Sequence, residues 1–201
     1  MPEVLVPPAR LARWVENFAA RHGSSALDVQ QGQLTGIADD GSTFAAALPF
    51  GGTYDGPPVV EDFVASCLAP PRWGVLLVRK GGFAVARLQG EELAESKVGQ
   101  RHVQGRTKAG GQSQQRFARR RDNQARHAYE AAAEHAARIL PGVECLVTGG
   151  DHAAVEAVLA DRRLADLVVV PPFLAVPDPR RSVLDKAVVD AGAARVDVVN
   201  A

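Results

Sequence analysis

Sulfur, aromatic rings and long apolar runs are all scarce in this chain. Its two cysteines, Cys67 and Cys145, lie far apart and form no Cys-x-x-Cys pair. Neither a disulfide framework nor a thiolate zinc site is therefore suggested, and both read as buried thiols. Aromatic residues make up only 5% of the sequence, and Trp14 and Trp73 read as core side chains rather than platforms for stacked bases. The opening Met-Pro-Glu-Val lacks a basic start followed by an apolar run, and no stretch approaches the ~18 apolar residues of a membrane span. The expectation is a cytoplasmic protein with no membrane partner. Net charge is also missing, since 23 Lys and Arg balance 23 Asp and Glu, while an apolar fraction of 46% excludes a disordered chain. The 201 residues suffice for one large domain or two small ones, and folding at this size buries roughly 70% of the unfolded surface.

The zero net charge hides a polarised distribution. Between positions 97 and 127 nine Lys or Arg face the single Asp122, so that segment carries +8 and the remainder −8. Arg outnumbers Lys 19 to 4. Together with the many alanines this looks like the coding bias of a high-GC bacterium, which accounts for arginine use in general but not for its clustering.

Periodicity organises the rest. Leu11, Trp14, Val15, Phe18 and Ala19 recur at helical spacing, with Arg10, Arg13 and Arg21 on the other side, which predicts an amphipathic first helix. Short strands are expected at 26–30, 33–38 and 43–48, with Asp40-Gly41 as a hairpin turn, and a helix at 59–68 that ends before Pro70-Pro71. From Trp73 the run GVLLVRKGGFAVARLQG reads as a β-hairpin turning at Lys80-Gly81-Gly82, with a third strand within 92–104. A long helix at 113–140 follows, stopped by Pro141-Gly142, with an alanine-rich stripe of Phe117, Ala125, Ala128, Ala132, Ala136 and Ile139. Strands at 144–148, 167–170 and 195–199 then alternate with helices at 151–160 and 180–190. A hairpin followed by helix–strand alternation predicts an α+β chain with one mixed sheet covered by helices. The boundary falls near residue 70, between a small α+β unit at 1–70, to which the sequence assigns no role, and a domain at 71–201.

The chemistry concentrates at Arg106-Thr-Lys108-Ala-Gly110-Gly111-Gln112-Ser113-Gln-Gln-Arg116-Phe-Ala-Arg119-Arg120-Arg121, followed by Arg126. Gly110 and Gly111 tolerate positive φ and, lacking Cβ, let the backbone approach a partner closely. A helix start leaves free N–H groups facing an anion, and arginine forks suit phosphates. From the residues alone two readings stay open: a loop capped by Ser113 with a solvated arginine face behind it, or a phosphate-binding loop reaching into a narrow nucleic-acid site. His127, Glu130, Glu134 and His135 share the helix but offer no His pair at i, i+4, so they read as a helix face rather than a metal site. Gly149-Gly150-Asp151 lacks a full phosphate-loop pattern, which leaves a turn with Asp151 as N-cap.

Gly110-Gly111-Gln112-Ser113, followed by Arg116-Phe117-Ala118-Arg119 and Arg126-His127-x-Tyr129, resembles the Gly-Gly-Gln loop and following helix in the middle domain of eukaryotic and archaeal class-one peptide release factors. The hairpin GVLLVRKGGFAVARLQG and the downstream ECLVTGGDHAAVEAVLADRRLADLV are similar to the same domain, so the resemblance covers roughly residues 73–199. It implies a ribonuclease-H-like mixed sheet with packed helices. The codon-reading domain with its Asn-Ile-Lys-Ser motif and the GTPase-binding domain of complete factors do not fit in this length. The chain is closer to the release-factor-like peptidyl-tRNA hydrolases of ribosome quality control, in their small actinobacterial form. Eukaryotic members of that group carry a Gly-Ser-Gln-type loop, whereas this chain has Gly-Gly-Gln.

The activity implied is codon-independent hydrolysis of the ester joining a nascent peptide to tRNA, on stalled ribosomes or large ribosomal subunits, with no cofactor or metal. Gln112, with Gly111 and Gly110, would sit at the ester carbonyl; its N–H would stabilise the developing oxyanion and its side chain would help place water. Arg106, Lys108, Arg116, Arg119, Arg120, Arg121 and Arg126 would contact ribosomal RNA and peptidyl-tRNA. Two alternatives accompany it: a nuclease cutting the tRNA near its 3′ CCA end, and a non-catalytic ribosome- or RNA-binding factor using the same basic face.

Overall fold

Strand β1 (Glu3–Val6) leads into helix α1 (Pro8–His22). The structure, a computed structural model, describes residues 3–100 and 112–201, with side chains over 3–99 and 126–201. Pro8 begins α1, where a missing N–H costs nothing, and the helix ends at Gly23, whose φ of +98° only glycine adopts readily. Strands β2 (Ser25–Gln30), β3 (Gln33–Ala38) and β4 (Thr43–Ala47) form the expected antiparallel meander, with Gly41 at φ +88° in the turn between β3 and β4. Helix α2 (Val60–Ala65) completes the first stretch. The expected apolar stripe of α1 is inside: Leu11 and Phe18 pack with Leu34, Phe44, Phe63 and Val196, while Arg10, Arg13 and Arg21 are exposed. Trp14 stacks on Phe18 and meets Phe44 edge-on, with ring centroids 5.8 and 5.3 Å apart.

The second stretch opens with β5 (Arg72–Arg79), β6 (Gly82–Gln89) and β7 (Glu92–Gln100), continues through α3 (Gln112–Ile139), β8 (Cys145–Gly150), α4 (His152–Leu159) and β9 (Val169–Leu174), and ends in α5 (Arg181–Ala191) and β10 (Ala194–Val199). The sheet order is β7-β6-β5-β8-β9. Strand β6 is antiparallel to both its neighbours, whereas β5, β8 and β9 run parallel. That is the strand order 3-2-1-4-5 of a ribonuclease-H-like sheet, and the α+β class is as expected. On one face Ala132, Ala133, Ala136 and Ile139 of α3 pack with Leu76, Val78, Phe83 and Val85 of the hairpin, and Val155 and Val158 of α4 join the same core. Alanine at three of these contacts lets the helix lie close to the sheet.

Three features differ from the sequence reading. The contacts divide the chain into one unit of Met1–Ala69 with Val188–Ala201 and another of Pro70–Ala187. Strand β10, read with the domain at 71–201, instead lies in the first sheet, of order β1-β10-β4-β3-β2, paired antiparallel with both β1 and β4. The short β1 was not expected at all, because four residues before a Pro-Pro pair carry no readable period. Finally, β9 runs on to Leu174 through Pro171 and Pro172 instead of stopping at 170. Proline is tolerated there because β9 is an edge strand, with only β8 to satisfy.

Candidate functional site

The Gly-Gly-Gln motif falls where β7 gives way to α3. Strand β7 ends at Gln100, and α3 opens at Gln112. Arg106, Lys108, Gly110 and Gly111 lie outside the described residues. Gln112 is the first residue of the helix, so Ser113, expected as its cap, is the second helical residue. The N–H groups of a first helical turn have no intrahelical acceptors, and the aligned peptide dipoles place partial positive charge there. Positions 112, 116, 119 and 120 recur at i, i+4, i+7 and i+8 and share a helix face, while 121 is one residue further round. Arg126 is exposed and lies 4.0 Å from Glu130 one turn on, an exposed pair of little energetic weight.

Helix α3 has 28 residues, about 42 Å at the usual rise. Among its described side chains, which begin at 126, the buried ones run from Ala128 to Ile139. From Ala128 back to Gln112 the helix covers about 24 Å. The alanine stripe is buried at Ala128, Ala132, Ala136 and Ile139; Phe117 and Ala125 lie outside the described side chains.

The remaining candidates disperse. His127 faces Glu130 at 3.2 Å on the exposed side, whereas the His135 ring stacks against Phe83 with centroids 5.5 Å apart. Among the described residues no group of three His, Cys, Asp or Glu is placed to hold a metal. Gly149 and Gly150 end β8 against the chain's own backbone: a Cβ on Gly149 would meet the Leu174 carbonyl, and one on Gly150 the Val78 carbonyl. These glycines let the end of β8 pass close to that backbone. Asp151 caps α4, accepting the Ala154 N–H at 3.2 Å. Trp73 is buried and donates from Nε1 to the Gly90 carbonyl at 2.8 Å. Burial pushes the Cys67 thiol up to about 11 and raises that of Cys145, so neither is a ready nucleophile. A groove of about 350 Å³ between α4 and β9, lined by Thr148, His152, Glu156, Val169 and Phe173 among others, was not legible in the sequence. No motif marks it, and the His152 ring stacks on Phe173 inside it at 3.5 Å between centroids.

Residues 71–197 match the family described as Actinobacteria/chloroflexi VLRF1 release factor. No curated protein matches the chain. Among solved structures, an archaeal translation termination factor, aRF1, aligns at 13% identity over 94% of this chain and 63% of its own, with a TM-score of 0.46. A structure described as an archaeal protein aligns at 14% identity over 94% of this chain and 65% of its own, with a TM-score of 0.33. Pelota of Archaeoglobus fulgidus aligns at 12% identity over 94% and 62%, with a TM-score of 0.25. This chain thus spans less than two thirds of the length of each, and similarity so loose assigns no function. Among the described residues no helix is long and apolar enough to cross a membrane.

Proposed function

Because the chain belongs to the Actinobacteria/chloroflexi VLRF1 release factor family, we propose that it is a peptidyl-tRNA hydrolase that frees nascent chains from stalled ribosomes or large ribosomal subunits without reading a codon. One observation carries this reading: Gln112 opens a 28-residue helix directly after Gly110-Gly111 in a segment dense in arginine. The arm formed by α3 gives the motif reach, and Arg106, Lys108, Arg116, Arg119, Arg120, Arg121 and Arg126 supply cationic contacts for ribosomal RNA and the tRNA backbone.

At the reacting centre, water attacks the ester carbonyl and the carbonyl oxygen gains negative charge. As that oxyanion collapses, the bond to the ribose oxygen of the terminal adenosine breaks, and that oxygen takes up the proton the water gives up. The Gln112 N–H, free of an intrahelical acceptor, suits that oxyanion. Its side-chain amide does not titrate near neutral pH and cannot act as a general base, so it contributes by placing water. Gly110 and Gly111 keep Cβ atoms out of the closest approach.

Gln112→Ala is expected to lower single-turnover peptide release from stalled large subunits by ~10²–10³, the usual loss for one oxyanion donor or water-positioning group. Folding and particle binding should be retained. A merely twofold loss would contradict the role. The products discriminate further: ester hydrolysis leaves a peptide with a free carboxylate and a tRNA with an intact CCA end. A peptide still carrying nucleotides indicates a nuclease, and no release from the unsubstituted protein indicates a binding factor.

A further inference from the structure

We infer that Glu95 is a positioning residue: it clamps the base of α3 to the sheet and thereby sets where Gln112, at the far end of the helix, points. The inference rests on the hydrolase reading for its consequence, but not for its geometry. Glu95 sits on β7, the strand that leads toward the motif, and α3 is the helix that leads away from it. Its carboxylate joins two arginines. Oε1 accepts from Nη1 of Arg138, near the end of α3, at 2.5 Å, and Oε2 lies 3.7 Å from Nη2 of Arg87 on β6. Arg87 is the register partner of Glu95 across the strands. It continues the row of Phe83 and Val85, which are packed in the core beneath α3.

Arg87 makes this arrangement more than a surface ion pair. Only one third of its side chain is exposed, and its buried Nε has no hydrogen-bond partner among the described residues. Among those residues Glu95 is the only carboxylate paired with either arginine. Without its charge, two guanidinium groups would face each other where the helix meets the sheet, one of them half-buried and uncompensated, an arrangement that costs far more than losing an exposed pair.

The alanine face leaves the helix with little shape to resist such a push. Alanines allow close approach but interlock little themselves, and the large buried side chains of Ile139 and Leu140 lie next to Arg138 at the base, where the tilt of the helix is set. From Arg138 to Gln112 is about 39 Å, and a tilt of about 5° at the base therefore displaces the tip by about 3 Å. Misplacement of a reacting group by 1 Å can reduce a rate by about 10²-fold. The clamp thus acts on the chemical step through orientation while remaining far from the substrate.

The test combines rates with a direct distance. Glu95→Gln should lower kcat for peptide release at least tenfold with KM and large-subunit affinity changed less than about twofold, a split that general destabilisation would not produce. Adding Arg138→Gln removes the repulsion and should restore part of the loss, so that the double variant is faster than Glu95→Gln alone. Spin labels at positions 91 and 113, in a background lacking Cys67 and Cys145, read the arm itself: their distance distribution should shift or widen in Glu95→Gln. An unchanged distribution overturns the clamp, as does a changed one with unchanged kcat. If the unsubstituted protein releases no peptide, the hydrolase reading fails, and the spin-label distances still decide whether Glu95 sets the arm.

Discussion

Single side chains here show how little sequence distance a strong electrostatic effect needs. Asp161 opens the short turn after α4 and accepts from both the side chain and the backbone N–H of Arg163, at 2.7 Å from Nη2 and 2.9 Å from the backbone N. The Arg163 guanidinium, then the backbone N–H, hold the Asp161 carboxyl down at about 2. A carboxyl lowered on folding contributes stability that is present above its ordinary value near 3.8 and is lost as pH falls through about 2. Carboxyl NMR should therefore place the Asp161 midpoint near 2. Arg163→Ala should raise it toward, but not fully to, the ordinary value, because the backbone N–H remains. A midpoint that does not move would show that the side-chain hydrogen bond is not its cause. Asp161 lies well away in sequence from the arginine cluster, and nothing in its titration bears on hydrolysis.

At the scale of the element, α3 is the part of the chain on which site and fold meet. Its inner face was readable because alanines at i, i+4 and i+8 form one stripe suited to close packing, and Ala128, Ala132 and Ala136 are indeed buried. Its outer end was readable because a glycine pair before a helix start is a local signature. The joint between its base and β7 was not readable. Glu95 and Arg138 are 43 residues apart, and nothing about either marks the other as its partner. The packing prediction for this element is Ala132→Leu. Ala132 is fully buried among the hairpin residues, and three added carbons must push those neighbours aside, so urea unfolding should show a loss of about 1–3 kcal/mol. A neutral result would mean that the helix can lift from the sheet without penalty.

The whole molecule is two sheets sharing one chain that visits the first, builds the second and returns. The return matters because β10 pairs with β1 on one side and β4 on the other, so it is interior to the first sheet. Its Ala194 and Val196 are fully buried in that unit's core. Deleting residues 188–201 should therefore unfold the first unit while the second keeps its folded signals, a difference that amide NMR dispersion would show directly. A fragment of residues 71–201 should conversely hold β10 without sheet partners, and its amides should exchange rapidly. If truncation at 187 left the first unit folded, β10 would be an ornament rather than a structural member.

The sequence by itself determined what depends on neighbours a few residues apart: the amphipathic face of α1, the turn at Asp40-Gly41, the hairpin of β5 and β6, the long alanine-faced helix, and the Gly-Gly-Gln motif at its start. Each follows from periodicity, glycine conformational freedom or proline geometry, which are local. Tertiary structure decided everything that depends on which distant segments meet. It drew β1 and β10 together from opposite ends of the chain, carried β9 through two prolines because an edge strand has one free side, and set Glu95 between two arginines on different elements. Such pairings are selected by the total burial and hydrogen bonding of the finished sheets, and a residue's immediate neighbours in the chain hold no record of that sum.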